Sequence, residues 1–255
     1  MPDYQLLNKK AHRDLRVATK YTAELGYNQC AAMVLNTELL AAQREYPIVF
    51  RKHGETGRFF PNVLLGFHPG ENLFLDGKGH WCAEHIPLAV AKGPFMIGLQ
   101  KVAGEQSSSV CIDMTDPRVC RGGEGEPLFQ QDGSPSRYLA YISEILSLLH
   151  DANRSVIAMV DLFLELDLIE ALTLDIGFDN GEALSFQGTC TIAEERLTAL
   201  KSAELEKLHQ SGFLAAAYYI SGSLENIKKL IDLKNRQIQS KSDWEKCGVE
   251  QHAPL

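Results

Sequence analysis

Within the six residues from His80 to His85 the chain places two histidines and a cysteine, His80, Cys82 and His85, all able to ligate a borderline-soft metal. If residues 80–82 are extended, His80 and Cys82 share a face and Trp81 takes the other. Zinc or iron is the metal such a nitrogen–sulfur set would take, with His68 a further donor that strand pairing could bring near. The stretch lacks the paired Cys-x-x-Cys spacing of structural zinc sites. The preferred reading is plainer: a hairpin with Trp81 and Cys82 in its core and two histidines at its surface. A second constellation is aromatic. Phe59 and Phe60 are adjacent on a strand and must face opposite sides, so an outward Phe60 with Arg58, His68 and Trp81 would form the rim of a peptide or ligand groove.

Other chemistry is weaker. His12-Arg13-Asp14 matches the His-x-Asp of iron oxygenases and the catalytic loop of kinases, but only eleven residues precede it, too few for either scaffold. The segment reads instead as an N-terminal strand or arm pinned by ion pairs. Cys111 and Asp113 share a strand face, and Asp76, Asp113 and Asp116 are the candidates for a carboxylate cluster, with core packing and turn capping as the plainer reading. Neither a Gly-x-Ser-x-Gly elbow nor a phosphate-binding loop nor His-Glu-x-x-His occurs, and the glycine-rich Arg121–Glu126 stretch carries acids that would repel phosphate.

These residues must be held by elements that the pattern locates. In the first part, short apolar runs alternate with Gly and Pro. Residues 30–35, 48–53, 58–67 and 72–76 read as strands, 37–46 as a helix closed by Pro47, and Asp76-Gly77 as a hairpin turn. Residues 84–92 make a short helix, and two strands pair across residues 101–106. Residues 116–134 lack periodicity and read as a linker. A seam at Tyr138, Ile142, Ile145, Leu149, Ala152, Val156, Met159, Phe163 and Leu166 alternates spacings of four and three on one long helix entered through Ser134-Pro135. Such a seam would suit a homodimer formed through 138–166, or packing within the chain. A second hairpin turns at Asp179-Asn180-Gly181, Thr191 and Glu194 suggest a capping box, and helices follow to the C-terminus, the last starting after Ser223. The final fifteen or so residues read as frayed. The fold class is therefore α+β: an antiparallel-sheet domain over 1–120, a linker over 121–134, and over 135–255 a helix-rich domain with one long helix and a hairpin.

The chain has 255 residues, 45% of them hydrophobic, and a net charge of −8. That balance suits a globular protein and disfavours a nucleic-acid partner. The best basic patch, Lys228, Lys229, Lys234 and Arg236, is interrupted by Asp232. With neither an apolar N-terminal core nor a run long enough for a bilayer, a cytoplasmic protein with reduced thiols is expected.

Taken together, HRDLRV (12–17), REYPIVF (44–50), LLGFHPGENLFLDGKGHW (64–81), IPLAVAKGPFMIGL (86–99), CIDM (111–114), EPLFQQDGSPSRYL (126–139), GTCTIAEERLTAL (188–200) and LHQSGFLAAAYYISGSLENIKKL (208–230) resemble the bacterial SapC family in order and over most of the chain. The resemblance implies an accessory role linked to surface-layer or nutrient-uptake systems and supplies no catalytic residues. It departs at His85, where the family usually carries an aromatic before Ile-Pro. The expectation is thus a non-enzymatic binding or accessory protein that recognises a protein, peptide or small-molecule partner. The alternative is a metal-dependent enzyme, or an enzyme subunit, with its site near residues 71–85.

Overall fold

A computed structural model describes the backbone of residues 2–102 and 105–249 and the side chains of 2–98 and 109–240; of the last fifteen residues, expected to fray, 241–249 continue a helix and 250–255 lie outside the described residues. In chain order the elements begin with β1 (Tyr4–Leu6), β2 (Leu15–Val17), β3 (Ala31–Met33), α1 (Leu39–Ala42), β4 (Ile48–Lys52) and β5 (Phe59–Leu64). Then come α2 (Leu88–Ala91), β6 (Phe95–Val102), β7 (Glu105–Asp113), β8 (Val119–Arg121), β9 (Glu126–Pro127) and α3 (Arg137–Glu165). The chain closes with β10 (Ile169–Gly177), β11 (Ala183–Ile192), α4 (Glu194–Thr198), α5 (Ser202–Gln210), α6 (Leu214–Ser223) and α7 (Asn226–Val249). All strand pairs are antiparallel, so the α+β class holds.

Two compact units form, and neither is a continuous stretch of chain. Met1–Asn28 with Leu75–Ile157 make the first, and Gln29–Phe74 with Ala158–Leu255 the second. The expected division at 121–134 instead falls inside the first unit. That segment is not a bare linker either, because β8 and β9 flank β2 in a three-stranded sheet. Strands of two or three residues leave no period to read.

In the first unit a second sheet has the order β1-β7-β6. Its inward residues Phe95 and Ile112 join Leu15, Val17, Leu128, Leu139, Ile142, Ile145 and Leu146 in one buried cluster. Helix α3 starts after Ser136, whose hydroxyl accepts the Leu139 N–H at 3.1 Å, so the cap is Ser136, and Pro135 lies before it. The helix ends in a left-handed residue, Asp167 at φ 54°, with Leu168 N–H reaching back to the Phe163 carbonyl at 2.8 Å. Its seam is real but already occupied. Ile142, Ile145, Val156, Met159, Phe163 and Leu166 are buried within the chain itself, so packing within the chain accounts for these positions.

In the second unit a five-stranded sheet has the order β10-β11-β4-β5-β3. Ile48, Val49 and Phe50 of β4 are all fully buried, as a central strand covered on both faces requires. The β10–β11 loop holds the three residues Asp179-Asn180-Gly181: Gly181 N–H bonds Phe178 O, Phe178 N–H bonds Glu182 O, and Gly181 takes φ 85°. Two expected caps are absent. Ala193 precedes α4 without a side-chain bond, and Ser223 ends α6, its hydroxyl accepting Ile48 N–H at 2.8 Å. Helix α7 is fastened by its own cations: Lys234 pairs with Glu71 at 2.5 Å, and Lys229 pairs with Glu45. The basic patch is thus partly spent inside the unit.

Candidate functional site

Residues 71–85 fold mostly as turns. A single bridge joins Leu75 to Trp81, so 72–76 is no strand in a ladder. Asp76 organises the turn: one carboxylate oxygen accepts Lys78 N–H at 2.7 Å and His80 N–H at 3.0 Å, and the other accepts the His80 ring Nδ1–H at 2.7 Å. Those bonds, the His80 N–H foremost, hold the Asp76 carboxyl well below the usual range. Cys82 is exposed rather than in a core, and burial and then the charge of Asp76 push its thiol up. Among the described residues no three His, Cys, Asp or Glu side chains form a group that could hold a metal, so His80, Cys82 and His85 do not converge.

The expected aromatic rim is also dispersed. Arg58 lies in the β4–β5 hairpin loop and His68 beyond the other end of β5, roughly 20 Å apart along a strand of that length. Phe60 is half-buried with its ring 6.2 Å from that of His53. Trp81 belongs to the first unit, packed edge-on to Tyr21 at 5.7 Å, which packs on Tyr27 at 4.8 Å. Arg118 lies 5.0 Å over the Tyr27 ring and forks onto Asp116 at 2.7 and 2.5 Å. Beside it, burial and then the Arg118 charge lower the Lys92 ammonium. This is a closed packing cluster, with its cation satisfied.

His12 is equally structural. It is 4% exposed, accepts the Asn8 N–H on Nδ1 at 3.0 Å, and therefore donates from Nε2 to Gln5 at 3.3 Å. Burial and the Arg121 charge lower its pKa, which favours this neutral tautomer.

What the first unit does present is an open groove of about 700 Å³. Leu6 and Leu7 come from β1 and its end, Ser109 and Val110 from β7, Phe129 and Asp132–Pro135 from the loop before α3, and Leu139 and Ser143 from α3. Leu7, Val110 and Phe129 also pack against the buried cluster, so the floor is the uncovered end of the core. Lys9, Asp132 and Ser134 stand among the lining residues. The Asp132 carboxylate accepts both the Ser134 N–H at 2.9 Å and its hydroxyl at 2.6 Å, which keeps its pKa low. Lys9 makes no ion pair with a described residue. Three separate stretches of chain build this groove, and no local pattern announces it. The available signal was EPLFQQDGSPSRYL, which supplies its loop wall.

The SapC family model matches residues 7–230. The chain belongs to the SapC family. No curated protein and no solved structure matches this SapC-family chain. The groove lies within the matched stretch except for Leu6. No described helix is long and apolar enough to cross a membrane.

Proposed function

We propose that this SapC-family protein is a binding or accessory protein, and that its groove in the first unit receives a segment of a protein partner. One observation carries the reading: the core of that unit is left open where Leu7, Val110, Phe129 and Leu139 meet, and the opening is bordered by hydrogen-bonding groups. An apolar floor with a few placed polar groups is the common form of a ligand site, and about 700 Å³ falls within the usual size range. An accessory role beside a surface-layer or nutrient-uptake system is the setting that the family suggests.

The test is titration with acetylated heptapeptides that alternate threonine with valine, leucine or phenylalanine and end in glutamate. Ser143 lines the groove and its hydroxyl donates only to Leu139 O of its own helix at 2.8 Å, so Ser143→Arg fills the space and leaves the core alone. Binding that weakens by roughly tenfold or more in this variant, at unchanged melting temperature, supports the reading. Undiminished binding by Ser143→Arg, or binding of no peptide in the panel, overturns it.

A further inference from the structure

The groove opens where one strand of its sheet stops short. Tyr4 pairs with Asp113, Gln5 with Ile112 and Leu6 with Cys111, and the Leu7 N–H donates to the Val110 carbonyl at 2.9 Å. There β1 ends. Its partner β7 continues to Glu105, paired along its other side with β6 as far as Val102.

The bonding alternates along β7 as an antiparallel ladder demands. Met114 N–H bonds Asp3 O and Val110 O accepts Leu7 N–H, whereas Asp113 N–H bonds Pro94 O. Even-numbered residues therefore address the β1 side and odd-numbered ones address β6. By that alternation Ser108 and Gln106 turn their backbone N–H and C=O toward the side that β1 has left, and no strand among the described residues is paired there. An unpaired edge of this kind is a template for another extended chain.

We propose that an extended peptide adds to this edge of β7, antiparallel to it and in line with β1. The inference rests on the binding reading above and specifies how the groove engages its partner. Leu7 fixes the geometry of the added strand: its N–H faces β7 while its side chain packs toward the core. Residues two and four places further along the same line, opposite Ser108 and Gln106, have the same disposition. Their side chains enter the groove against Leu7, Val110 and Leu139, so they are apolar, while the intervening residues face away. Lys9 on the rim, lacking an ion pair among the described residues, sets a carboxylate on the partner near the apolar positions. The occupant is thus a peptide segment with alternate apolar side chains and an acidic neighbour, held through its main chain.

Backbone N-methylation distinguishes this mode from simple side-chain burial. The tightest-binding heptapeptide of the panel is remade in two forms, one N-methylated at its apolar residues and one at its threonines, and both are titrated into the full chain. Strand addition predicts that methyls on the apolar residues weaken binding by roughly tenfold or more, since these amides face β7, whereas methyls on the threonines change it by less than about threefold. If both methylated forms bind like the parent while Ser143→Arg still abolishes binding, strand addition is wrong and the groove reading survives. If methylated threonines do the greater harm, the register and orientation are wrong. If no unmodified peptide binds, both proposals fall together.

Discussion

Lys234→Met removes one half of an ion pair that water barely reaches. The side chains of Lys234 and Glu71 are 14% and 12% exposed and meet at 2.5 Å. At an effective dielectric of about 20, unit charges roughly 3–4 Å apart attract by about 4–5.5 kcal/mol. After the substitution Glu71 keeps its bond from the Phe67 N–H at 2.8 Å but loses its counter-charge, so the expected cost at neutral pH is about 3 kcal/mol or more. Urea unfolding followed by circular dichroism reads it directly. The double variant Glu71→Gln with Lys234→Met leaves no buried charge and should return to within about 1 kcal/mol of the parent. Acid supplies a second check. In the parent, burial raises the Glu71 carboxyl, but the Lys234 hydrogen bond, the Phe67 N–H and the Lys234 charge outweigh it and leave it below its ordinary 4.5. Its stabilising contribution is therefore full above that ordinary value and disappears as pH falls through the lowered one. In Lys234→Met burial prevails and the carboxyl rises, so its penalty is present at neutral pH and is relieved on acidification. The gap between parent and variant must narrow from neutral pH toward pH 4. A loss below about 1 kcal/mol at neutral pH, or a gap that stays constant with pH, refutes the argument.

Ile145→Asp should unfold the first unit rather than split a dimer, because Ile145 is 2% exposed and an unpaired buried carboxylate costs several kcal/mol, about 4 or more here; a folded variant with altered sedimentation would contradict this. Gly98→Ala places a Cβ 2.6 Å from the Cys111 sulfur and should cost about 1–3 kcal/mol in denaturant unfolding. Adding Cys111→Ala should recover much of that loss, and no recovery would show that the sulfur is not the obstacle. Burial, with Tyr27 and Tyr141 adding to it, pushes the Tyr21 phenol up to about 12. Phenolate absorbance should accordingly lose one late-titrating step in Tyr21→Phe, and loss of an early step would contradict the packing around Trp81.

Elements with their own local chemistry were readable from the residues. The Asp179-Asn180-Gly181 hairpin and the seam of α3 are where the pattern put them, since turn propensity and period act over a few residues. The partner of that seam was not readable: Ile142 and Ile145 meet Leu15, Phe95, Ile112 and Leu128, and spacing on a helix says nothing about what covers it. Sheet order was hidden for the same reason, with β11 joined to β4 through the single pair Cys190 and Phe50. The candidate site suffered most. Donor-rich sequence drew notice to His80, Cys82 and His85, whereas the groove depends on where β1 ends, which leaves no mark on composition.

The interleaving of the two units bears on how the chain can be made. On the ribosome, Gln29–Phe74 emerges early, yet β4 cannot acquire its neighbour β11 until residue 192 has been synthesised. At roughly 5–20 residues per second that delay is on the order of ten seconds. Throughout it one side of the apolar Ile48-Val49-Phe50 run lacks the strand that later pairs with it, while the first unit gathers all its segments once residue 157 is out. Vectorial synthesis therefore lets the unit that bears the groove mature first and leaves the five-stranded sheet exposed to mispairing. The interval before β11 arrives is when a nascent chain would most need a chaperone.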